Sequence, residues 1–273
     1  MSKKQSVFTK KPIIISFANQ KGGVGKSTLN LQTTFHLSQK AGKKVLVIDL
    51  DGQGNTSSRL VPHETTADGD KQPVYYGTPA ADLFTPNLAN IEVMHCPCGV
   101  DLIHTPKNHA ALYELEALSL EAITIPRDNL TELVKQYDYV LIDCPPSLGR
   151  KLLAALAMCT QVACPMKLAG CAVDGLEGLL TTLIGVQDGL NTDLQIAGIV
   201  INDMVQSKSH ERAYKQIQEA VPGLLFKNII RNRPPLDTAT SEGVPIWTLT
   251  YGHVAAKEVE AVIEELIEKV NAA

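Results

Sequence analysis

Long apolar runs are missing from this sequence: none approaches the ~20 residues that a membrane-spanning helix needs. An excess of basic charge is missing too. The net charge of −4 at pH 7 argues against a wholly basic nucleic-acid binder, although a local basic patch is compatible with it. The six cysteines (Cys96, Cys98, Cys144, Cys159, Cys164 and Cys171) contain no Cys-x-x-Cys pair of the zinc type. Cys144, Cys159 and Cys164 lie in or beside apolar runs and read as buried thiols in a reducing cytoplasm. Cys96-Pro97-Cys98 is the one close pair, too short for an ordinary disulfide loop. Met1 to Lys11 is basic without an apolar h-region and reads as a flexible tail, not a signal peptide. No repeat, low-complexity tract or linker interrupts the rest of the chain. The 273 residues, 44% hydrophobic and 20% charged, are ordinary for a soluble globular chain, and 12–273 is expected to form one domain.

What is present is concentrated around residue 20. Ile13 to Ala18 is an apolar run that reads as a buried parallel strand, followed by Asn19-Gln20-Lys21-Gly22-Gly23-Val24-Gly25-Lys26-Ser27-Thr28. Glycines at 22, 23 and 25 let the backbone bend tightly enough for several N–H groups to point inward at a phosphate. The helix expected from Lys26 or Ser27 adds free N–H groups and a positive dipole end. In such a loop Lys26 reaches the β- and γ-phosphates and the Ser27 hydroxyl ligates Mg²⁺. The usual pattern wants glycine where Gln20 stands, and a second lysine, Lys21, follows it.

Two more strand ends carry carboxylates. Lys44 to Leu50 is a second buried strand, and Asp49-Leu50-Asp51-Gly52-Gln53-Gly54-Asn55 lies at its carboxyl end, where parallel sheets place ligands. Period-two alternation puts Asp49 and Asp51 on one side. Such a pair holds a metal through water, orients an attacking water, or merely caps the strand end. Tyr139 to Asp143 is another apolar strand ending in aspartate, continued by Cys144-Pro145-Pro146-Ser147. A carboxylate there meets Mg²⁺ directly or through water.

Elsewhere strands alternate with helices, which predicts an α/β fold with a predominantly parallel, twisted sheet covered by helices on both faces. Residues 51–80 read as a long loop with one short helix near Ser57. Asn108 to Leu118 and Pro126 to Gln136 read as helices, Leu224 to Ile230 as a strand, and His253 to Val270 as a closing helix.

Lys21-Gly22-Gly23-Val24-Gly25-Lys26-Ser27 resembles the deviant Walker A loop of the ParA/MinD superfamily of P-loop ATPases. The stretch from Asp49 to Asn55 is similar to that family's Walker A′ box, and Asp143-Cys144-Pro145-Pro146-Ser147-Leu148-Gly149 to its Walker B strand end. The resemblance implies a P-loop NTPase domain and Mg²⁺-dependent ATP hydrolysis in a homodimer. There Lys21 reaches the partner subunit's nucleotide, Asp51 positions the hydrolytic water, and Asp143 lies on the Mg²⁺ side. Gly52 stands where the family normally has proline, so a more mobile loop is expected. Relatives contact adenine from the strand end that here carries Asn202, and from a later loop, here Ile230-Arg231-Asn232-Arg233-Pro234-Pro235. Asn202 offers both a donor and an acceptor; turn formation with Asp203 is the alternative.

Lys208, Arg212 and Lys215 fall at i, i+4 and i+7 on one predicted helix face, with Lys227, Arg231 and Arg233 following. The cluster suits sequence-independent phosphate contact, or is a solvated helix face with Glu211 and Glu219 interspersed. ParA relatives bind DNA non-specifically as ATP dimers, and the resemblance implies a ParB-like centromere-binding partner that stimulates a weak basal ATPase. The implied function is segregation of plasmid or chromosomal DNA, in the cytoplasm and on the nucleoid when ATP-bound. Because the P-loop begins about 20 residues in, no preceding helix-turn-helix domain is expected, as in short ParA types. Positioning of a protein cargo is an alternative, as is a MinD-like membrane switch. The tail speaks against the latter: Glu260, Glu264, Glu265 and Glu268 outnumber Lys257 and Lys269, and anionic lipids repel it. A metabolic P-loop enzyme is the remaining alternative, and no segment matches one persuasively.

Overall fold

In chain order the structure, a computed structural model that describes residues 11–168 and 172–272, runs from strand β1 (Ile13–Phe17) through helix α1 (Lys26–Phe35) and strand β2 (Val45–Asp49) to helix α2 (Asn55–Leu60). A small hairpin, β3 (His63–Thr65) with β4 (Lys71–Pro73), precedes β5 (Met94–His95) and β6 (Asp101–Ile103). Short helices α3 (Ala110–Glu114) and α4 (Ile125–Leu130) lead to β7 (Tyr139–Asp143), α5 (Arg150–Met158) and β8 (Gln161–Met166). The chain closes with α6 (Ala172–Gly189), β9 (Gln195–Ile201), α7 (Lys208–Ala220), α8 (Pro234–Glu242) and α9 (His253–Ala272).

The sheet order is β5-β6-β2-β7-β1-β8-β9. Every pairing is parallel except the antiparallel edge pair β5·β6. The central strands read as unbroken apolar runs because both of their faces are covered. Val45, Val47, Tyr139 and Leu141 pack with α1, α8 and α9 on one face. Leu46, Ile48, Val140 and Ile142 pack with α4, α5 and α6 on the other. Burying a side chain of this kind contributes about 1.5–3 kcal/mol each. Helix-covered parallel strands bring the carboxyl ends of β1, β2, β7, β8 and β9 to one edge, where open α/β sheets take their ligands.

Several local expectations need correction. Residues 51–80 contain the hairpin β3·β4, whose residues are mostly exposed and so carry no apolar alternation. The two helices expected at 108–118 and 126–136 each break after one or two turns into 3₁₀ geometry. Leu224 to Ile230 is not a ladder strand and makes one isolated bridge, Leu225 to Ile199. It touches β9 through Phe226 and Ile230 N–H bonds to the Ile199 and Ile201 carbonyls. Between these contacts the Lys227 and Asn228 N–H groups donate instead to the Glu265 carboxylate on α9. The tail expected at 1–11 lies, up to residue 10, outside the described residues, as does Cys171. Cys144, Cys159 and Cys164 are buried free thiols, and burial pushes Cys144 and Cys164 each up to about 12.

Candidate functional site

After Phe17 the chain turns through residues 20–25 into α1. Gly23 and Gly25 have φ of +70° and +101°, in the left-handed region that glycine enters without steric penalty. Gly25 is the N-cap of α1 and no side chain closes that helix start, so its first-turn N–H groups and dipole face an open cleft. Lys26 is buried, and its Nζ donates to the Lys21 carbonyl oxygen at 3.1 Å. Burial lowers the Lys26 pKa, while Cys144, Asp143 and Asp51 act in the opposite sense. Gln20 does not have a positive φ, so the glycine of the usual pattern is not needed for the backbone here. Its Nε2 donates to Thr182 Oγ1 at 2.9 Å, tethering the loop to α6. The Lys21 side chain lies over Gly175 of α6, where an added Cβ would be 3.0 Å from its Nζ.

The carboxylates separate into three environments. Asp49 and Asp143 are register partners at the ends of β2 and β7, and both are fully buried. Asp49 Oδ2 accepts from the Ser57 N–H at 2.8 Å and the Ser57 hydroxyl at 2.7 Å, and Oδ1 accepts from the Asp51 N–H at 3.1 Å. Desolvation, with Asp143 alongside, pushes the Asp49 carboxyl well up. The expectation that Asp49 and Asp51 act side by side is therefore corrected: Asp49 holds the turn from below, and only Asp51 lines the cleft. Asp143 Oδ2 accepts from the Thr56 hydroxyl at 2.6 Å, while Oδ1 is buried without a hydrogen-bond partner. Burial pushes the Asp143 carboxyl up to about 6, with the Thr56 and Ser27 hydroxyls acting downward.

Gly52, which stands where a proline is expected, is tied into the turn by hydrogen bonds. Its carbonyl accepts from the Asn108 N–H at 3.0 Å, and the Gly54 N–H donates to the Asp51 carbonyl at 2.9 Å, closing a turn. The Gln53 N–H donates to Asp51 Oδ1 at 3.0 Å.

One cleft of about 620 Å³ gathers Gly22, Gly23, Gly25, Lys26, Ser27, Thr28, Asp51, Asn202 and Arg231. Val24 is buried behind it. Lys21 instead borders a neighbouring recess with Asn19, Lys167 and Gly175. Asn202 is buried, and its Nδ2 donates to the Val24 carbonyl at 2.8 Å, so one of its amide hydrogens braces the phosphate loop. Arg231 and Arg233 both pair with Glu258 of α9, at 3.0 and 2.8 Å. Arg233, expected on a DNA surface, lines this cleft instead. Lys208, Arg212, Lys215 and Lys227 are exposed, the first three on α7. Lys167 had no expected role. It lines the cleft and pairs with Asp203 at 2.6 Å, and Asp203 also accepts from Asn232. No local motif marks Lys167 because its partner sits on the next strand's end.

The donor set suits Mg²⁺. The Ser27 hydroxyl and the orphaned Asp143 oxygen are hard oxygen donors, the kind that meet Mg²⁺ together with waters and phosphate oxygens. Among the described residues no group of three His, Cys, Asp or Glu side chains is placed to hold a metal alone. Helix α9 buries Val259, Val262, Ile263, Leu266 and Val270 against the protein's own core. Among the described residues no helix is long and apolar enough to cross a membrane.

The family described as "AAA domain" matches residues 12–196. The chromosome-partitioning ATPase Soj of Treponema pallidum is 33% identical over 261 residues, covering 93% of this chain and 96% of that protein. The chromosome partitioning protein ParA of Myxococcus xanthus is 33% identical over 231 residues, covering 84% of this chain and 77% of that one. In three dimensions the chain is similar to apo McdA of Cyanothece, with a TM-score of 0.77, 23% identity, and coverage of 93% and 99%. That last likeness concerns the fold.

Proposed function

The chain belongs to the ParA/Soj family of P-loop ATPases, and on that premise we propose that it is an Mg²⁺-dependent ATPase switch that dimerises around ATP, binds DNA in that state and segregates DNA with a ParB-like partner. One observation carries the reading: the open start of α1, the buried Lys26 ammonium and Asp51 face a single cleft whose volume of about 620 Å³ suits a nucleotide.

In this reading the N–H groups of Gly22 to Thr28 cradle the phosphates and Lys26 holds the β/γ oxygens. Its desolvated ammonium acts in a site where charge is poorly screened. Ser27 and, through water or directly, Asp143 hold the metal, which when bound neutralises charge on the transferring phosphoryl group. Asp51, steadied by the Gln53 N–H, orients the attacking water. Lys21 extends to the nucleotide of the second subunit. Asn202 and Arg231 form the base side of the cleft. Catalysis is positioning plus electrostatic stabilisation, with no covalent intermediate.

Lys208, Arg212, Lys215 and Lys227 supply the non-specific DNA contact, and the ATP-bound dimer resides on the nucleoid. Because α9 buries its apolar stripe in its own core, no membrane partner is included.

The test pairs an ATPase assay, with and without DNA and a candidate partner, with DNA binding in ATP against ADP. The reading expects DNA binding in ATP only, and Asp51→Ala trapped as an ATP-bound dimer. Equal DNA binding in both nucleotides, or normal turnover in Asp51→Ala, overturns it.

A further inference from the structure

Tyr113 of α3 covers the turn that carries Asp51. Its ring lies against Gly52 so closely that an added Cβ there would be 3.0 Å from Cζ and 3.2 Å from the hydroxyl oxygen. Its hydroxyl accepts from Gln53 Nε2 at 3.0 Å, and the Gln53 N–H in turn donates to Asp51 Oδ1 at 3.0 Å. The backbone at Gly52 does not have a positive φ, so conformation does not demand glycine; an added Cβ would instead press on the ring, which would have to give by a few tenths of an ångström. Proline, the residue usual at this point in the family the sequence resembles, would bring its Cβ tightly against the ring.

The ring is itself held. Lys151 Nζ, buried on α5, stands 5.2 Å from its centroid, donates to the Leu112 carbonyl at 3.2 Å, and pairs with Glu116 at 3.4 Å. Glu116 also accepts from the Arg150 N–H at 2.7 Å. Helix α3 is thereby fastened to the start of α5, the helix that follows the Asp143 strand end. Tyr113 thus links the Asp51 turn to Lys151 of α5.

We propose that Tyr113 is a positioning residue for hydrolysis: its ring and hydroxyl fix Gly52 and Gln53, and through Gln53 the carboxylate of Asp51. This rests on the reading of Asp51 as the water-orienting group. Gln53 is exposed, so without Tyr113 its side chain loses the partner that holds it over the turn.

The experiment measures steady-state ATP hydrolysis, Mg²⁺-ATP affinity and thermal unfolding for wild type, Tyr113→Phe, Tyr113→Ala, Gly52→Ala, the Gly52→Ala/Tyr113→Ala double variant, and Asp51→Ala. Tyr113→Ala is expected to lower kcat about tenfold or more, with KM and ATP affinity held within about twofold. Tyr113→Phe keeps the ring, loses the Gln53 acceptor, and falls between. Gly52→Ala alone lowers kcat by displacing the ring, and adds nothing further once the ring is gone. A wild-type kcat in Tyr113→Ala beside an inactive Asp51→Ala overturns the role of Tyr113 alone. So does a loss of affinity as large as the loss of kcat, which marks a general structural defect. No hydrolysis by wild type, or full turnover by Asp51→Ala, overturns the ATPase reading and this role with it.

Discussion

The Asn202 side-chain amide occupies the space that a Cβ on Gly25 would need: that Cβ would lie 2.2 Å from Asn202 Nδ2, which donates to the Val24 carbonyl at 2.8 Å. The end of β9 therefore braces the phosphate loop across the cleft, and glycine at 25 is required twice, for φ and for room. Gly25→Ala is expected to destabilise the fold by about 2 kcal/mol or more and to abolish ATP binding. Asn202→Ala should fold, and weaken ATP binding by loosening the loop. Urea denaturation and nucleotide titration check both; unchanged ATP affinity in Asn202→Ala would contradict the brace.

Histidine at 104 gives the fold an acid-sensitive point. Its side chain is buried, with Nδ1 unpartnered and its ring edge-on to Tyr75 at 5.0 Å. Burial, with His109 nearby, holds it down to about 4 from an ordinary 6.5. The unfolded chain therefore takes up the proton first as pH falls below about 6.5. The stability that neutral His104 contributes is complete above that pH and is lost as pH falls toward about 4. Denaturation midpoints at pH 7 and pH 5 should differ less in His104→Gln than in wild type; an identical pH dependence refutes the assignment.

Lys21→Ala separates binding from turnover. The side chain borders a recess beside the cleft and not the cleft itself, so the variant should keep ATP affinity within about threefold while hydrolysis falls about a hundredfold. Equal losses of affinity and turnover would argue against a site shared between two subunits.

Replacing Lys208, Arg212 and Lys215 together with alanine should weaken DNA binding in ATP. The slope of log affinity against log salt should become shallower by about one unit per lysine or arginine that contacts phosphate. These side chains are exposed on α7, away from the core, which that helix meets through Ile217. Fold stability should stay within about 0.5 kcal/mol. An unchanged salt slope would leave α7 a solvated face.

The phosphate loop was legible because its chemistry is local. Three glycines that shape the backbone, a lysine and a hydroxyl lie between one strand and one helix, all within seven consecutive positions, 22–28. The central strands were legible because burial on both faces leaves a continuous apolar run. Leu224 to Ile230 reads as a strand because it is apolar and buries Phe226 and Ile230, while Glu265, on the last helix, takes the N–H groups in its middle. Proximity in sequence groups Arg233 with the basic cluster, whereas Glu258 draws it and Arg231 together onto the cleft wall.

By itself the sequence determined the α/β architecture, the phosphate loop and the two aspartate-bearing strand ends beside it, since each follows from periodicity or from neighbours within a few residues. The tertiary structure alone decided how those pieces are held. Asn202 reaches a loop 178 positions away, and Tyr113 meets Gln53 across 60. Asp49 turns inward to Ser57 while Asp51 faces the cleft. Such pairings depend on which strand ends the sheet order brings together, and the pattern along the chain does not carry that order.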